Sequence, residues 1–332
     1  MSKTLVGVDI GANELRLVVS TKTSIQFLPT VQMPENLVFD GRITSFEAMS
    51  ELLQSTLKKH HIHAKACAIV LPSSLVFTRK VNMPVMSVEM LELNLPYEFH
   101  DYFQKDKNTY FYDYSVLHIE NDEEVNPKTM DLLAAAVAKE TIEEYRRFLS
   151  RAGLKMQIAI PESLAYRNII MEYEEENTGN HPEEYCIIDL GHSTIRVYMF
   201  KGSSFETSGV IEFGGAAIDD IIADAMSVNR HQARTYKHKN HEDVQTLEAC
   251  KELYSRIAIE LQRTINFYGY NNPSSNLQDA YICGGLTQIP ALMSSIGETI
   301  SLKIHSMHDL MPALRQGLEA DKFSVAVGVT LQ

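Results

Sequence analysis

The chain lacks a basic surplus, a cysteine framework and a long apolar run, and each lack removes a class of function. Of its 332 residues 30 are Lys or Arg and 43 are Asp or Glu, a net charge of −13. That balance argues against a general nucleic-acid binder and against adhesion to anionic lipid by charge alone. Only four cysteines occur, Cys67, Cys186, Cys250 and Cys283, with no CxxC pair among them. They read as reduced, buried thiols of a cytosolic protein. No apolar stretch approaches the roughly 20 residues that span a bilayer. The opening Met1-Ser2-Lys3-Thr4 runs into a strand without the apolar core of a signal peptide. A Walker-A loop, GxGxxG, HExxH and a GxSxG nucleophile elbow are also missing.

What is present is a phrase written twice. Val6-Gly7-Val8-Asp9-Ile10-Gly11-Ala12-Asn13-Glu14-Leu15-Arg16-Leu17 aligns without a gap on Cys186-Ile187-Ile188-Asp189-Leu190-Gly191-His192-Ser193-Thr194-Ile195-Arg196-Val197. Asp falls on Asp, Gly on Gly and Arg on Arg, about half a chain apart. Each copy reads as an apolar strand, a tight turn and a second, alternating strand. Asp and Gly are ordinary turn residues, but turn chemistry alone does not impose one register over the whole phrase. Two such hairpins facing across a cleft would offer backbone N–H groups to a phosphate and carboxylates to a hydrated metal ion.

The length suits two or more domains, and a hydrophobic content of 45% with 22% charged residues is that of a globular chain. Strands and helices alternate, which implies α/β architecture. Residues 1–72 with 156–180 read as a first domain, 73–155 as an inserted α+β module, and 181–332 as a second domain with a helical block over about 214–277. Asn121-Asp122-Glu123-Glu124 reads as a solvated turn, Thr178-Gly179-Asn180-His181-Pro182 as a linker, and residues 323–330 as a last strand. Gly214-Gly215 and Gly284-Gly285 each stand before a helix, where bare backbone would admit a ligand. His60-His61-x-His63 and His238-x-x-His241 sit in polar, Lys-rich stretches with no acid or Cys to complete a metal site. The aromatic run from Tyr102 to Tyr114 suits either a module core or a protein-binding surface.

The order Asp9 hairpin, inserted module, Asp189 hairpin, Gly214-Gly215, helical block, Gly284-Gly285 and Gly328 resembles the actin-like ATPase superfamily. That resemblance implies two ribonuclease-H-like domains around a nucleotide cleft, with Ile282-Cys283-Gly284-Gly285 as the adenosine loop. Val70-Leu71-Pro72-Ser73-Ser74-Leu75-Val76-Phe77-Thr78-Arg79-Lys80-Val81-Asn82-Met83-Pro84 resembles the opening of the extra subdomain of the type IV pilus assembly family PilM and its cell-division relative FtsA. Leu132-Leu133-Ala134-Ala135-Ala136-Val137-Ala138-Lys139 with Ala152-Gly153-Leu154 resembles its closing half. The resemblance is closer to PilM, because the chain stops at Leu331-Gln332 where FtsA carries an amphipathic membrane helix.

The resemblance implies ATP with Mg2+ in the cleft. Asp9, Gly11, Ala12, Asn13 and Arg16 would face the phosphates from one side, and Asp189, Gly191, His192, Ser193, Gly214 and Gly215 from the other. Lys237, Gly284, Gly285 and Leu286 would lie near the nucleoside. Asp9 and Asp189 would hold the metal through water, and Asp189 would position an attacking water if ATP is hydrolysed, with hydrolysis weak or absent. The chain departs from the family pattern at Arg234, where an acid usually approaches the ribose, because a guanidinium accepts no hydroxyl proton. Leu286 and His192 replace small residues, and Arg16 stands where Lys is common. The implied role is cytoplasmic: a groove beside the inserted module takes the tail of an inner-membrane PilN-like protein, joining it to the pilus assembly motor, with no nucleic acid and no direct membrane insertion. A nucleotide-free scaffold of the same fold and a small-molecule kinase of the superfamily remain open alternatives.

Overall fold

The structure, a computed structural model, describes residues 4–39, 41–102, 106–120, 128–311 and 320–331. The expected turn at Asn121-Asp122-Glu123-Glu124 lies outside the described residues. The chain opens with β1 (Leu5–Ile10), β2 (Glu14–Ser20), β3 (Ile25–Phe27), β4 (Val31–Gln32), β5 (Val38–Phe39) and β6 (Arg42–Ile43). Helix α1 (Phe46–Lys59) starts at Ser45, whose hydroxyl accepts from the Ala48 N–H, and ends on Lys58 and Lys59 beside its negative dipole end. β7 (Ala66–Leu71) follows, then β8 (Val76–Pro84), α2 (Val88–Asn94), β9 (Tyr110–Ile119), β10 (Thr129–Ala138), α3 (Lys139–Arg151), β11 (Lys155–Pro161) and α4 (Glu162–Glu176). The second half holds β12 (Glu184–Leu190), β13 (Ile195–Lys201), β14 (Ser204–Ile211), α5 (Gly215–Met226), α6 (Arg230–Lys239), α7 (Glu248–Asn271), β15 (Asp279–Cys283), α8 (Pro290–Thr299), β16 (Lys303–Ser306) and α9 (Ser324–Gly328).

Two sheets repeat one plan. The first runs β11-β7-β1-β2-β3, with β4 also on β2, and the second runs β14-β13-β12-β15-β16. In each, an antiparallel meander leads and two parallel strands add beside its first strand. Strand alternation divides each sheet between two cores. Tyr185 and Ile187 face the core between the sheets, which α4 and α9 fill, while Cys186, Ile188 and Leu190 face α5, α7 and α8. In the first sheet Cys67, Ile69 and Leu71 face α1 and α3, and Ala68 and Val70 face inward. Each such Ile or Leu, fully removed from water, stabilises by about 1.5–3 kcal/mol. All four cysteines are buried and free of disulfides.

Between β7 and β11 stands the three-stranded sheet β8-β10-β9. Met130, Leu132, Ala134 and Ala136 of β10 face Leu91, Leu95 and Phe99, closing a small core of their own. Leu133, Ala135 and Val137 face the other way, toward β11. Tyr112 and Tyr114 pack against the small core, as the core reading of the aromatic run expects, while Phe111 of the same strand stays exposed.

One reading needs correction. Residues 323–330 are not a strand: Ser324–Gly328 is the short helix α9. Val325, Ala326, Val327 and Gly328 are all buried. A short apolar run covered on every side carries no periodicity to separate strand from helix.

Candidate functional site

The two written-twice hairpins fold into matching geometry. Across β1 and β2 Asp9 pairs with Arg16 and Ile10 with Leu15; across β12 and β13 Asp189 pairs with Arg196 and Leu190 with Ile195. The Gly11 N–H donates to the Glu14 carbonyl at 3.0 Å, closing the first turn. In the second turn a Cβ on Gly191 would overlap the Thr194 carbonyl oxygen, so only glycine fits. Among the described residues the backbone N–H groups of Ala12, Asn13, His192 and Ser193 donate to no protein acceptor. Two open donor turns therefore face one cleft, the geometry of an anion nest.

The cleft brings together Asp9, Gly11, Ala12, Asn13 and Arg16 from the first sheet with Asp189, Gly191, His192, Ser193, Gly284 and Gly285 from the second. Gly284 has φ +98°, and a Cβ there would stand 2.7 Å from Asp189 Oδ1. This glycine lets β15 turn away while the carboxylate keeps its place. The remaining expected residues lie behind the wall. Lys237 is buried, its Nζ 2.6 Å from Asp219 Oδ1 and donating to the Gly215 carbonyl at 2.9 Å. Leu286 is buried, its Cδ2 2.9 Å from where a Gly215 Cβ would stand. Gly214 packs on the second turn, and the N–H groups of Gly215 and Ala216 are taken by the carbonyls of Gly191 and His192.

Charge is dense here. Arg16 donates from Nη1 to Asp9 Oδ2 at 3.2 Å and from Nη2 to Glu14 Oε2 at 2.9 Å. Burial raises the Asp9 carboxyl and nearby Asp189 adds to the rise, with Arg16 opposing both. Burial also acts on Glu14, but Arg16 and Gln32 outweigh it and its carboxyl is lowered. His192 is pushed down to about 4 by burial and by Lys237. It is therefore a neutral imidazole near pH 7, with Nε2 placed 3.4 Å from Arg234 Nη2 to accept.

Helix α4 supplies residues that the motifs did not mark. The Tyr166 hydroxyl donates to Asp189 Oδ2 at 2.9 Å and meets Cys283 Sγ at 3.3 Å. Glu162 accepts from the Tyr198 hydroxyl at 2.7 Å and from Arg196 at 3.4 Å. In sequence Glu162 is one more acid in a helix's first turn and Tyr166 one more apolar-face residue, so neither signals a cleft.

A family model described as type IV pilus assembly protein PilM matches residues 7–323. The chain belongs to that family. Its fold is the actin-like ATPase fold. A solved PilM–PilN type IV pilus biogenesis complex is similar with a TM-score of 0.78 at 17% identity, covering 98% of this chain and 97% of that one. The ethanolamine utilization protein EutJ from Carboxydothermus hydrogenoformans gives 0.57 at 12% identity, covering 97% and 88%. MreB5 of Spiroplasma citri, bound to ADP, gives 0.53 at 13% identity, covering 98% and 94%. At these identities the likeness is one of fold. Within the PilM family the chain is thus a pilus-assembly protein, and no helix among its described residues is long and apolar enough to cross a membrane.

The depressed His192 yields a pH prediction. Between about 4, its folded value, and 6.5, its unfolded value, the unfolded chain binds more protons than the folded one. The stability contributed by the neutral imidazole is therefore present above 6.5 and lost as pH falls toward 4. From pH 7 to pH 5 wild type is expected to lose about 2 kcal/mol relative to His192→Gln. Urea melts of both proteins at the two pH values measure it; parallel losses would place His192 in solvent.

Proposed function

We propose that this PilM-family chain is a cytoplasmic link that holds the extended tail of a PilN-like inner-membrane protein beside its inserted module, with a nucleotide in the two-hairpin cleft biasing the state that holds it. The observation that carries the partner reading is a groove of about 350 Å3 between β11 and the three-stranded sheet. Leu133, Ala135, Val137, Met156, Ala159 and Leu164 line it. β11 ends its sheet and β9 ends the module's sheet, so two strand edges flank an apolar trough. That is the setting in which an extended peptide adds as a strand and seats alternate side chains. Docking there would keep the chain at the inner face of the membrane through its partner and free its other faces for the assembly motor.

The nucleotide reading is supported by the open N–H groups of both turns, and the metal that would accompany it by Asn13, whose buried acceptor Oδ1 has no partner. The donor set suits phosphate oxygens, and Asp9 and Asp189 would hold Mg2+ through water. The cavity is about 150 Å3, below the ~300–1,000 Å3 of ligand sites, so a nucleotide requires the cleft to widen. Asp189 has one oxygen committed to Tyr166, leaving Oδ1 to orient a water. The kinase reading gains no residue from the structure.

Calorimetry tests both halves. A synthetic peptide of the partner's cytoplasmic tail is expected to bind wild type, and Ala135→Arg, which fills the groove, is expected to weaken it about 100-fold while MgATP binding stays unchanged. Asp189→Ala is expected to lose MgATP and keep the peptide. Binding of the peptide with equal affinity to Ala135→Arg would sink the groove reading.

A further inference from the structure

The two hairpins are alike in sequence and register, yet their arginines do different things. Arg196 turns from its cross-strand partner Asp189 toward Glu162. Asp189 is left with a neutral donor, the Tyr166 hydroxyl. Arg16 stays on its cross-strand partner Asp9 and takes Glu14 as well. It also approaches Gly285 of the opposite wall, whose Cβ position lies 3.9 Å from Arg16 Nη2. One guanidinium thus stands across the cleft in contact with Asp9 and Glu14 and within electrostatic reach of a third carboxylate, Asp189. Glu162 and Arg196 cancel one another, so the cluster keeps an excess of two negative charges. Beside it the Asn13 side-chain oxygen is nine-tenths buried, lines the cleft and has no hydrogen-bond partner.

We propose that Arg16 is a built-in counter-ion that occupies the place of a divalent cation and closes the cleft to free metal until a polyphosphate draws the guanidinium off Asp9. The chemistry favours this reading. Asp9 and Glu14 address the two terminal nitrogens of one guanidinium at 3.2 and 2.9 Å, so they already point at a single centre of positive charge. A hydrated divalent ion takes oxygen ligands, and carboxylates plus an amide oxygen are its natural set. In this closed arrangement no three acidic, His or Cys side chains among the described residues converge to hold a metal, so the carboxylates must shift before they can share one. Phosphate oxygens compete for the guanidinium, because planar bidentate recognition of an oxyanion is what it does best. Asp9 is then released to share a metal with Asp189. The order of binding follows: nucleotide with metal, never metal alone. That order rests on the nucleotide reading of the cleft; the counter-ion role of Arg16 does not.

Mn2+ alone is the probe, followed by the loss of its free electron paramagnetic resonance signal on adding the whole chain without nucleotide. Wild type and Arg16→Lys, which keeps a cation at this position, are expected to leave the signal of sub-millimolar Mn2+ intact. Arg16→Gln is expected to bind Mn2+ at least about tenfold more tightly, since removing a unit charge a few ångströms from a divalent ion relieves more than the corresponding 1.4 kcal/mol. Adding Asp189→Asn to Arg16→Gln is expected to abolish the gain. Arg16→Met, which retains the stem's packing, serves if Arg16→Gln does not fold. Equal Mn2+ affinity in wild type and Arg16→Gln, or a gain that survives Asp189→Asn, overturns the proposal. A parallel MgATP titration of wild type separates the two readings: no MgATP binding with the Mn2+ gain intact removes the nucleotide and keeps the counter-ion.

Discussion

Gly328→Ala is expected to lower the stability of the chain by about 3 kcal/mol, the upper range for forcing a methyl group into a closed contact. Gly328 ends α9 where that helix crosses α4 at backbone distance. A Cβ there would overlap the Ala165 carbonyl oxygen and come within 2.7 Å of its carbonyl carbon. The obstacle is backbone, so no rotamer change relieves it; α9 must move off α4 or α4 must bend. Neither is cheap, because Ala165, Tyr166, Ile169, Val325, Ala326 and Val327 share the core between the two sheets. The same crossing carries the Asn168 side chain, which donates to the carbonyls of Gly328 and Leu331 at 3.0 and 2.9 Å. Gly297→Ala is the control of opposite sign. It lies within α8, its Cβ would meet Ile304 Cδ1 at an ordinary 3.8 Å, and Ala in a helix interior gains about 0.5–1 kcal/mol over Gly. Urea melts of both variants decide the matter, and a neutral Gly328→Ala would mean that α9 does not approach α4 at backbone distance. Because Tyr166 reaches Asp189 from α4, loss of Asp189-dependent ligand binding is expected to accompany the destabilisation.

The α9 segment also marks the limit of what the residues alone reveal. The two Asp-Gly-Arg hairpins were legible because turn chemistry and strand alternation are local, and their shared register could be read letter by letter. Two strands of the three-stranded sheet are legible for the same reason, since Thr129–Ala138 and Val76–Pro84 are long and bounded by Pro or charge, whereas the third, Tyr110–Ile119, reads only as an aromatic run. The strand edges of the groove are not legible, because an edge is defined by which strand is missing beside it. Nor was the role of Arg16 distinguishable from that of Arg196. Both stand at the same place in the same phrase, and the difference is made by Glu162, which reaches Arg196 from the start of α4, while Arg16 is held by Asp9 and Glu14 of its own hairpin. Residues 323–330 failed for want of any exposed side to set a period.

Lys237→Met is expected to cost about 3–5 kcal/mol of stability, the usual consequence of leaving a buried charge without its partner. The family resemblance implies a place for this lysine beside a nucleoside; the packing gives it another occupation. Asp219 is buried to 2% exposure and its Oδ1 lies 2.6 Å from Lys237 Nζ. Burial draws the Lys237 ammonium down while Asp219 holds it up, so the pair survives by mutual compensation. Arg234 Nε stands 3.3 Å from the other carboxylate oxygen and remains after the substitution, which favours the lower end of the range. Lys237 also ties α6 to the first turn of α5 through the Gly215 carbonyl, and that turn is hydrogen-bonded to the Asp189 hairpin. The two occupations predict different outcomes. A nucleoside contact would lose MgATP affinity with little change in the urea midpoint. A structural counter-ion loses stability first, and the double variant Asp219→Asn with Lys237→Met recovers most of it, because a neutral amide no longer needs a cation. Non-recovery in the double variant would show that the lysine stem's packing, not its charge, was what the site required.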